Sequence, residues 1–159
     1  MIDQGEVEMH LYHGKELRKS RYSETGRPYL VTTVTRQRQK IFEDFCLARL
    51  VVAEMRGVTD RGLVDTLAWV IMPDHVHWLI TLRVSSLAVI VKTVKSRSAI
   101  AINKRAGTSG PVWQSGYHDH AIRRDEDLAG VARYVVANPL RAGLVKRLGD
   151  YPHWDVFCL

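Results

Sequence analysis

This chain predicts an α+β fold of the ferredoxin-like class, an antiparallel sheet with helices packed on a face, and three patterns carry that expectation. β-branched runs recur at strand length, apolar residues between them recur at helical spacing, and two strands are joined by only two residues, as an antiparallel hairpin requires. The resulting order is β-α-β-β-α-β-α. Helices that return the chain between antiparallel strands pack on a face of the sheet.

The elements follow in order. Residues 1–27 read as a basic arm, because apolar periodicity is poor until Tyr29, and residues 28–159 read as one domain. Tyr29–Thr35 is a β-branched first strand. Phe45, Leu47, Ala48, Val51, Val52 and Met55 recur at helical spacing, with Gly57 as the expected stop. Leu67–Met72 and His75–Leu82 are strands about the turn Pro73-Asp74. Ser85 or Ser86 caps a helix reaching about Arg105, with Leu87, Ile90, Val91, Val94, Ser98 and Ala101 on its apolar stripe. After the loop Gly107–Pro111, Val112–Ile122 reads as a fourth strand. Asp125, Glu126 and Asp127 then open a last helix whose N-terminal dipole they suit. Leu128, Val131, Ala132 and Val135 form its buried stripe, and Pro139 is expected to stop it.

The bulk properties narrow the function. A chain of 159 residues buries about two-thirds of its unfolded surface and needs no covalent staples. Cys46 and Cys158 are too few and too far apart for a disulfide framework or a zinc ribbon, so reduced thiols in the cytoplasm are expected. The apolar runs are too broken to span a membrane, and the first residues resemble no signal peptide. The net charge of +6 sits in one stretch, where Lys15, Arg18, Lys19, Arg21, Arg27, Arg36, Arg38 and Lys40 face only Glu16 and Glu24. Such density beside Tyr12, Tyr22 and Tyr29 suits phosphate contacts and base stacking, so nucleic acid is the expected partner. A basic face kept for solubility is the plain alternative.

Chemistry enters at His75-Val76-His77. On a strand, residues i and i+2 share a face about 7 Å apart, so both imidazoles can converge on one cation while Val76 faces the core. The ordinary reading is two polar side chains on a solvated face. In the last helix, Tyr134 and Asn138 stand at i and i+4 on the flank, so a phenol and a carboxamide can face the same small volume. Their ordinary reading is an aromatic edge and a helix-end cap. Taken together, these groups suit phosphodiester chemistry. A divalent cation neutralises the ester's charge, and a tyrosine can then attack to leave a covalent phosphotyrosine and a free 3′-hydroxyl.

The stretches Leu17–Tyr22, Met72–Trp78, Trp113–Ile122 and Tyr134–Val145 resemble the single-tyrosine HUH transposases, and within them most closely the REP-associated tyrosine transposases. The resemblance runs from about Leu17 to Trp154, and His-x-His joined to Tyr-x-x-x-Asn-Pro is more specific than either part. It implies a single-strand DNA endonuclease and strand transferase that uses Mg²⁺ or Mn²⁺ at hairpin-forming repeats, as a monomer or homodimer. It maps His75 and His77 to the metal pair and Tyr134 to the nucleophile, and puts Asn138 where insertion-sequence relatives carry a glutamine metal ligand.

Other constellations compete. His118-Asp119-His120 is a second His-x-His, expected as an accessory ligand or hydrogen-bonding set, or else as a solvated strand face. Tyr117 and Tyr151 are alternative phenols without an amide at i+4, and the four tryptophans read as core or rim. Lys15, Arg18, Lys19, Arg21 and Arg27 are expected to hold DNA, as are Lys92, Lys95 and Arg97 unless that helix face is merely solvated. A hairpin-binding regulator without turnover is the rival function. A replication-initiator or relaxase-type nickase is a third, opposed by the short chain and by Asn138-Pro139 after the tyrosine.

Overall fold

The computed structural model describes residues 23–157. Five antiparallel strands form one sheet: β1 (Pro28–Val34), β2 (Val64–Met72), β3 (His75–Leu82), β4 (His118–Ala121) and β5 (Trp154–Val156), in the spatial order β4-β1-β3-β2-β5. The helices are α1 (Phe45–Asp60), α2 (Leu87–Ala106), α3 (Leu128–Val136) and α4 (Asn138–Arg141). The expected α+β class and its order are present, with α4 and β5 added. Among the described residues no helix is long and apolar enough to cross a membrane.

Strand alternation divides the interior into two cores. Tyr29, Val31, Trp69, Ile71, Val76, Trp78 and Ile80 face α1 and α2. Leu30, Ala68, Val70, Met72 and Leu79 face Ala132, Val135 and Val136 of α3. Helices therefore cover both faces, two on one and the last on the other. Fully burying an aliphatic side chain contributes roughly 1.5–3 kcal/mol, so both layers matter to the fold.

The helix ends explain where the chain departs from expectation. Asp44 caps α1 by accepting from the backbone of Cys46 (2.8 Å) and Leu47 (3.3 Å). The helix then runs past Gly57, and Gly62, at φ 71°, takes up the left-handed conformation just beyond its end. Ser86, rather than Ser85, caps α2 through Val89 N at 3.2 Å. Pro139 does not stop a helix: α3 ends at Val136, and Pro139 lies in the first turn of α4, where a missing N–H costs nothing.

Two strands differ in length from expectation for local reasons. β2 begins at Val64, and a register shift between Thr66 and Ala68 hides its alternation from a period-two reading. The bulged region is anchored by Thr66 Oγ1, which accepts from Trp78 Nε1 at 3.1 Å. β4 spans only His118–Ala121 because its pairing with β1 is interrupted between Thr32–His118 and an isolated bridge of Thr35 with Trp113. Gln114 N donates to Val34 O at 2.8 Å, and Lys95 Nζ donates to the carbonyls of Gln114 (2.7 Å) and Gly116 (2.5 Å).

His153 is buried at 4 % exposure between the rings of Phe45 and Tyr151, and its Nδ1 has no partner among the described residues. Burial, with the nearby charge of Arg49, lowers its proton affinity. An unfolded imidazole binds a proton near pH 6.5 and this one resists it, so the fold loses stability as pH falls below about 6.5. The urea midpoint is expected to drop between pH 7 and pH 5, and His153→Leu is expected to make that drop shallower. An unchanged pH dependence in His153→Leu would contradict the assignment.

Candidate active site

The turn at Pro73-Asp74 starts β3 with His75, and β3 is the central strand. His77 pairs with Thr32 on one side and Val70 on the other, while Thr32 pairs in turn with His118 on β4. His118, Thr32 and His77 thus form a row across three strands, with His75 one pleat away on the same face. The rings of His75 and His77 stand 4.8 Å apart at 82°.

Each imidazole is held by its Nδ1. His75 Nδ1 donates to Asp74 Oδ1 at 2.6 Å, and His77 Nδ1 is bonded to Thr32 Oγ1 at 2.8 Å. Both Nε2 atoms are left for a shared ligand, the arrangement by which outer groups orient metal-binding histidines. Burial, then the charges of His75 and Arg141, push His77 down to about 3, so it is neutral and able to donate a lone pair. Burial alone would raise the Asp74 carboxyl, but His75 and Arg38 outweigh it and hold the group below its usual range.

The last helix covers this face. Its buried Ala132, Val135 and Val136 dock on the sheet, which turns half-buried Tyr134 toward the histidines. A cleft of about 440 Å³ is lined by His75, His77, His118, Tyr134, Asn138, Arg38 and Arg141, with Thr32 and apolar neighbours between them. Among the described tyrosines, Tyr134 alone lines it. Tyr117 packs against the opposite core, and Tyr151 OH donates to Ile71 O at 2.6 Å, its proton held by burial to about 12.

The expected stacking of Tyr134 and Asn138 on one continuous helix is replaced by a break. Ala137 separates α3 from α4, and Asn138 Nδ2 donates to Val135 O at 2.9 Å. That bond leaves the carboxamide oxygen as the end available to a cation. Arg141, at the end of α4, lies with Cζ 3.7 Å over the Tyr134 ring and donates from Nη1 to Tyr134 O at 2.7 Å.

The decisive comparison is with the family model described as "Transposase IS200 like", which matches residues 26–138 and spans both histidines, Tyr134 and Asn138. This chain belongs to the IS200-like transposase family. Among curated relatives, the REP-associated tyrosine transposase of Escherichia coli K12 is 28% identical over 95 residues, covering 56% of this chain and 54% of that one. A relative in Haemophilus influenzae, provisionally given the same name, is 28% identical over 100 residues, covering 56% of this chain and 57% of its own. The match thus spans little more than half of either relative's length. In fold, this family member is similar to the solved structure of a REP-associated tyrosine transposase bound to a REP hairpin, with a TM-score of 0.67 at 24% identity over 85% of this chain and 79% of that one.

Among the described residues no cluster of three His, Cys, Asp or Glu side chains could hold a metal. The cleft nevertheless offers a mixed donor set, two oriented imidazoles and the Asn138 oxygen, of the kind that divalent cations take. Asn138→Ala is expected to weaken Mn²⁺ binding more than Asn138→Gln. Calorimetric titration checks this, and unchanged affinity in both variants would move the third position to water or His118.

The remaining sequence candidates are dispersed. His118 is exposed in the cleft, Asp119 lies on the other side of β4, and His120 Nε2 bonds the Glu126 carboxylate at 3.1 Å. Lys92, Lys95 and Arg97 ride on α2, across the sheet from the histidines. Lys95 is engaged with backbone carbonyls, Arg97 Nε pairs with Glu54 at 2.7 Å, and Lys92 is exposed. Arg27 pairs with Glu24 at 3.3 Å and lines a second cleft, of about 580 Å³, with Arg123 and Arg124. Lys15, Arg18, Lys19 and Arg21, with most of the proposed arm, fall outside the described residues.

Thr32, Asp74 and Arg141 escape a linear reading of the site, and Arg38 enters it only as one charge of the basic stretch. Asp74 was within reach, as the residue preceding His75, and Arg141 stands two helical turns after Tyr134. Thr32 becomes visible only through strand register.

Proposed function

We propose that this chain is a metal-dependent single-strand DNA endonuclease and strand transferase that acts beside hairpin-forming repeats through a 5′-phosphotyrosine on Tyr134. The observation that carries the reading is the shared cleft of two oriented imidazoles, one phenol and one carboxamide. The names of the curated relatives, and the REP hairpin bound to the solved neighbour, support the DNA class.

In this reading His75, His77 and Asn138 hold Mg²⁺ or Mn²⁺, with Asp74 and Thr32 fixing the rings. A bound cation supplies charge neutralisation and polarisation at the phosphoryl oxygen. Tyr134 Oη attacks phosphorus as the P–O3′ bond breaks. The phenolic proton is lost, and the departing 3′-oxygen gains one. The retained ester lets a 3′-hydroxyl attack in turn, which rejoins strands without an external energy source. Arg27, Arg123 and Arg124 bind DNA backbone along the second cleft, and the basic residues Lys15, Arg18, Lys19 and Arg21 add phosphate contacts of their own.

Incubation with a labelled single-stranded hairpin oligonucleotide and Mn²⁺ is expected to give a covalent protein–DNA band that survives denaturation. Hairpin binding without any such band would favour the regulator.

A further inference from the structure

We propose that Arg141 is a further catalytic residue of this site, one that binds a non-bridging oxygen of the scissile phosphate while Tyr134 attacks it. The inference rests on the endonuclease reading above and adds a residue to it.

Placement is the first support. Tyr134 and Arg141 are seven residues apart, about 10 Å along a helix axis, a gap that the long arginine side chain spans. Across the interruption at Ala137, the guanidinium lies 3.7 Å over the phenol ring. Both residues line the cleft that holds the histidines. The cation therefore sits beside the nucleophile, where the phosphate must lie for attack.

Charge is the second. Arg38, Arg97, Arg133 and Arg147 each pair with a carboxylate, at distances of 2.7–3.3 Å. Among the described residues no carboxylate pairs with Arg141, whose contacts are a backbone carbonyl and an aromatic face. Nη1 is used on the Tyr134 carbonyl, which leaves the rest of the fork to donate. A guanidinium with unspent donors, lining the cleft beside the phenol, suits a phosphodiester oxygen. In the step itself, Oη–P forms and P–O3′ breaks. Arg141 exchanges no proton and stabilises the charge spread over the non-bridging oxygens.

A purely structural role is the competing account, since an arginine can satisfy one of the last carbonyls of α3. A substrate with a methylphosphonate at the scissile linkage separates the two, because it lacks one charged non-bridging oxygen. Arg141→Met keeps an aliphatic stem over the ring, and Arg141→Lys keeps the charge without the fork. Single-turnover release of the 3′-hydroxyl strand is measured on both substrates, with melting curves to confirm folding.

On the phosphodiester, Arg141→Met is expected to slow cleavage about a hundredfold, with DNA binding within a few-fold and partial recovery in Arg141→Lys. On the methylphosphonate, the difference between parent and Arg141→Met is expected to shrink to a few-fold. An equal penalty on both substrates, or none on the phosphodiester, overturns the role of Arg141 and leaves the tyrosine mechanism standing. If the parent protein cleaves neither substrate, the endonuclease reading falls and this inference falls with it.

Discussion

Tyr134→Phe is expected to abolish the covalent protein–DNA band while hairpin binding stays within about threefold of the parent. The substitution removes one oxygen and keeps the ring. Arg141 still has an aromatic face to cover and the Tyr134 backbone carbonyl to bind, so α3 and α4 keep their relation. No other described phenol can stand in. Tyr117 packs on the far side of the sheet, and the Tyr151 hydroxyl is committed to Ile71 O with its proton held to about 12. Denaturing electrophoresis of the labelled reaction checks the outcome. Persistent cleavage would move the nucleophile to water or to a tyrosine of the first 22 residues.

The double substitution His75→Ala, His77→Ala is expected to remove measurable Mn²⁺ binding and to lower metal-dependent cleavage by at least about a hundredfold. The sequence alone places both side chains on a solvent-facing strand surface, where removal costs little stability. The structure makes them half-buried and hydrogen-bonded, so the variant also takes one partner from Asp74, which keeps Arg38, and the imidazole partner from Thr32. A stability loss of about 1–3 kcal/mol follows, small enough to leave a folded domain. Calorimetric Mn²⁺ titration and urea unfolding of the metal-free variant separate the two effects. Undiminished Mn²⁺ affinity would place the metal elsewhere, and an unfolded variant would make the pair structural.

Much of this site is legible before folding. The His75–His77 hairpin is readable because a two-residue turn and strand alternation act over a few neighbours. Tyr134 and Asn138 are readable as a pair because four residues make one helical turn. What escapes a linear reading depends on contacts between distant segments. Thr32 meets His77 across 45 positions, and Arg38 reaches Asp74 from a turn in which Gln37 and Arg38 both adopt positive φ. The placement of α3 opposite α1 and α2 follows from which strand face still lacked a partner, which apolar spacing within α3 does not specify. The break at Ala137 is hidden because proline is compatible both with ending a helix and with starting one.

The strict alternation along β3 has a consequence for the fidelity of the site. His75, Val76, His77 and Trp78 point in turn to the cleft, the core, the cleft and the core. A slip of β3 by one residue would drive both imidazoles beneath α1 and α2 and expose Val76 and Trp78 to water, a penalty of several kcal/mol. Misregistered chains therefore fail to fold stably instead of persisting as folded molecules with a scrambled cleft. The hydrophobic layer beneath the sheet acts as a proofreader for the chemistry above it.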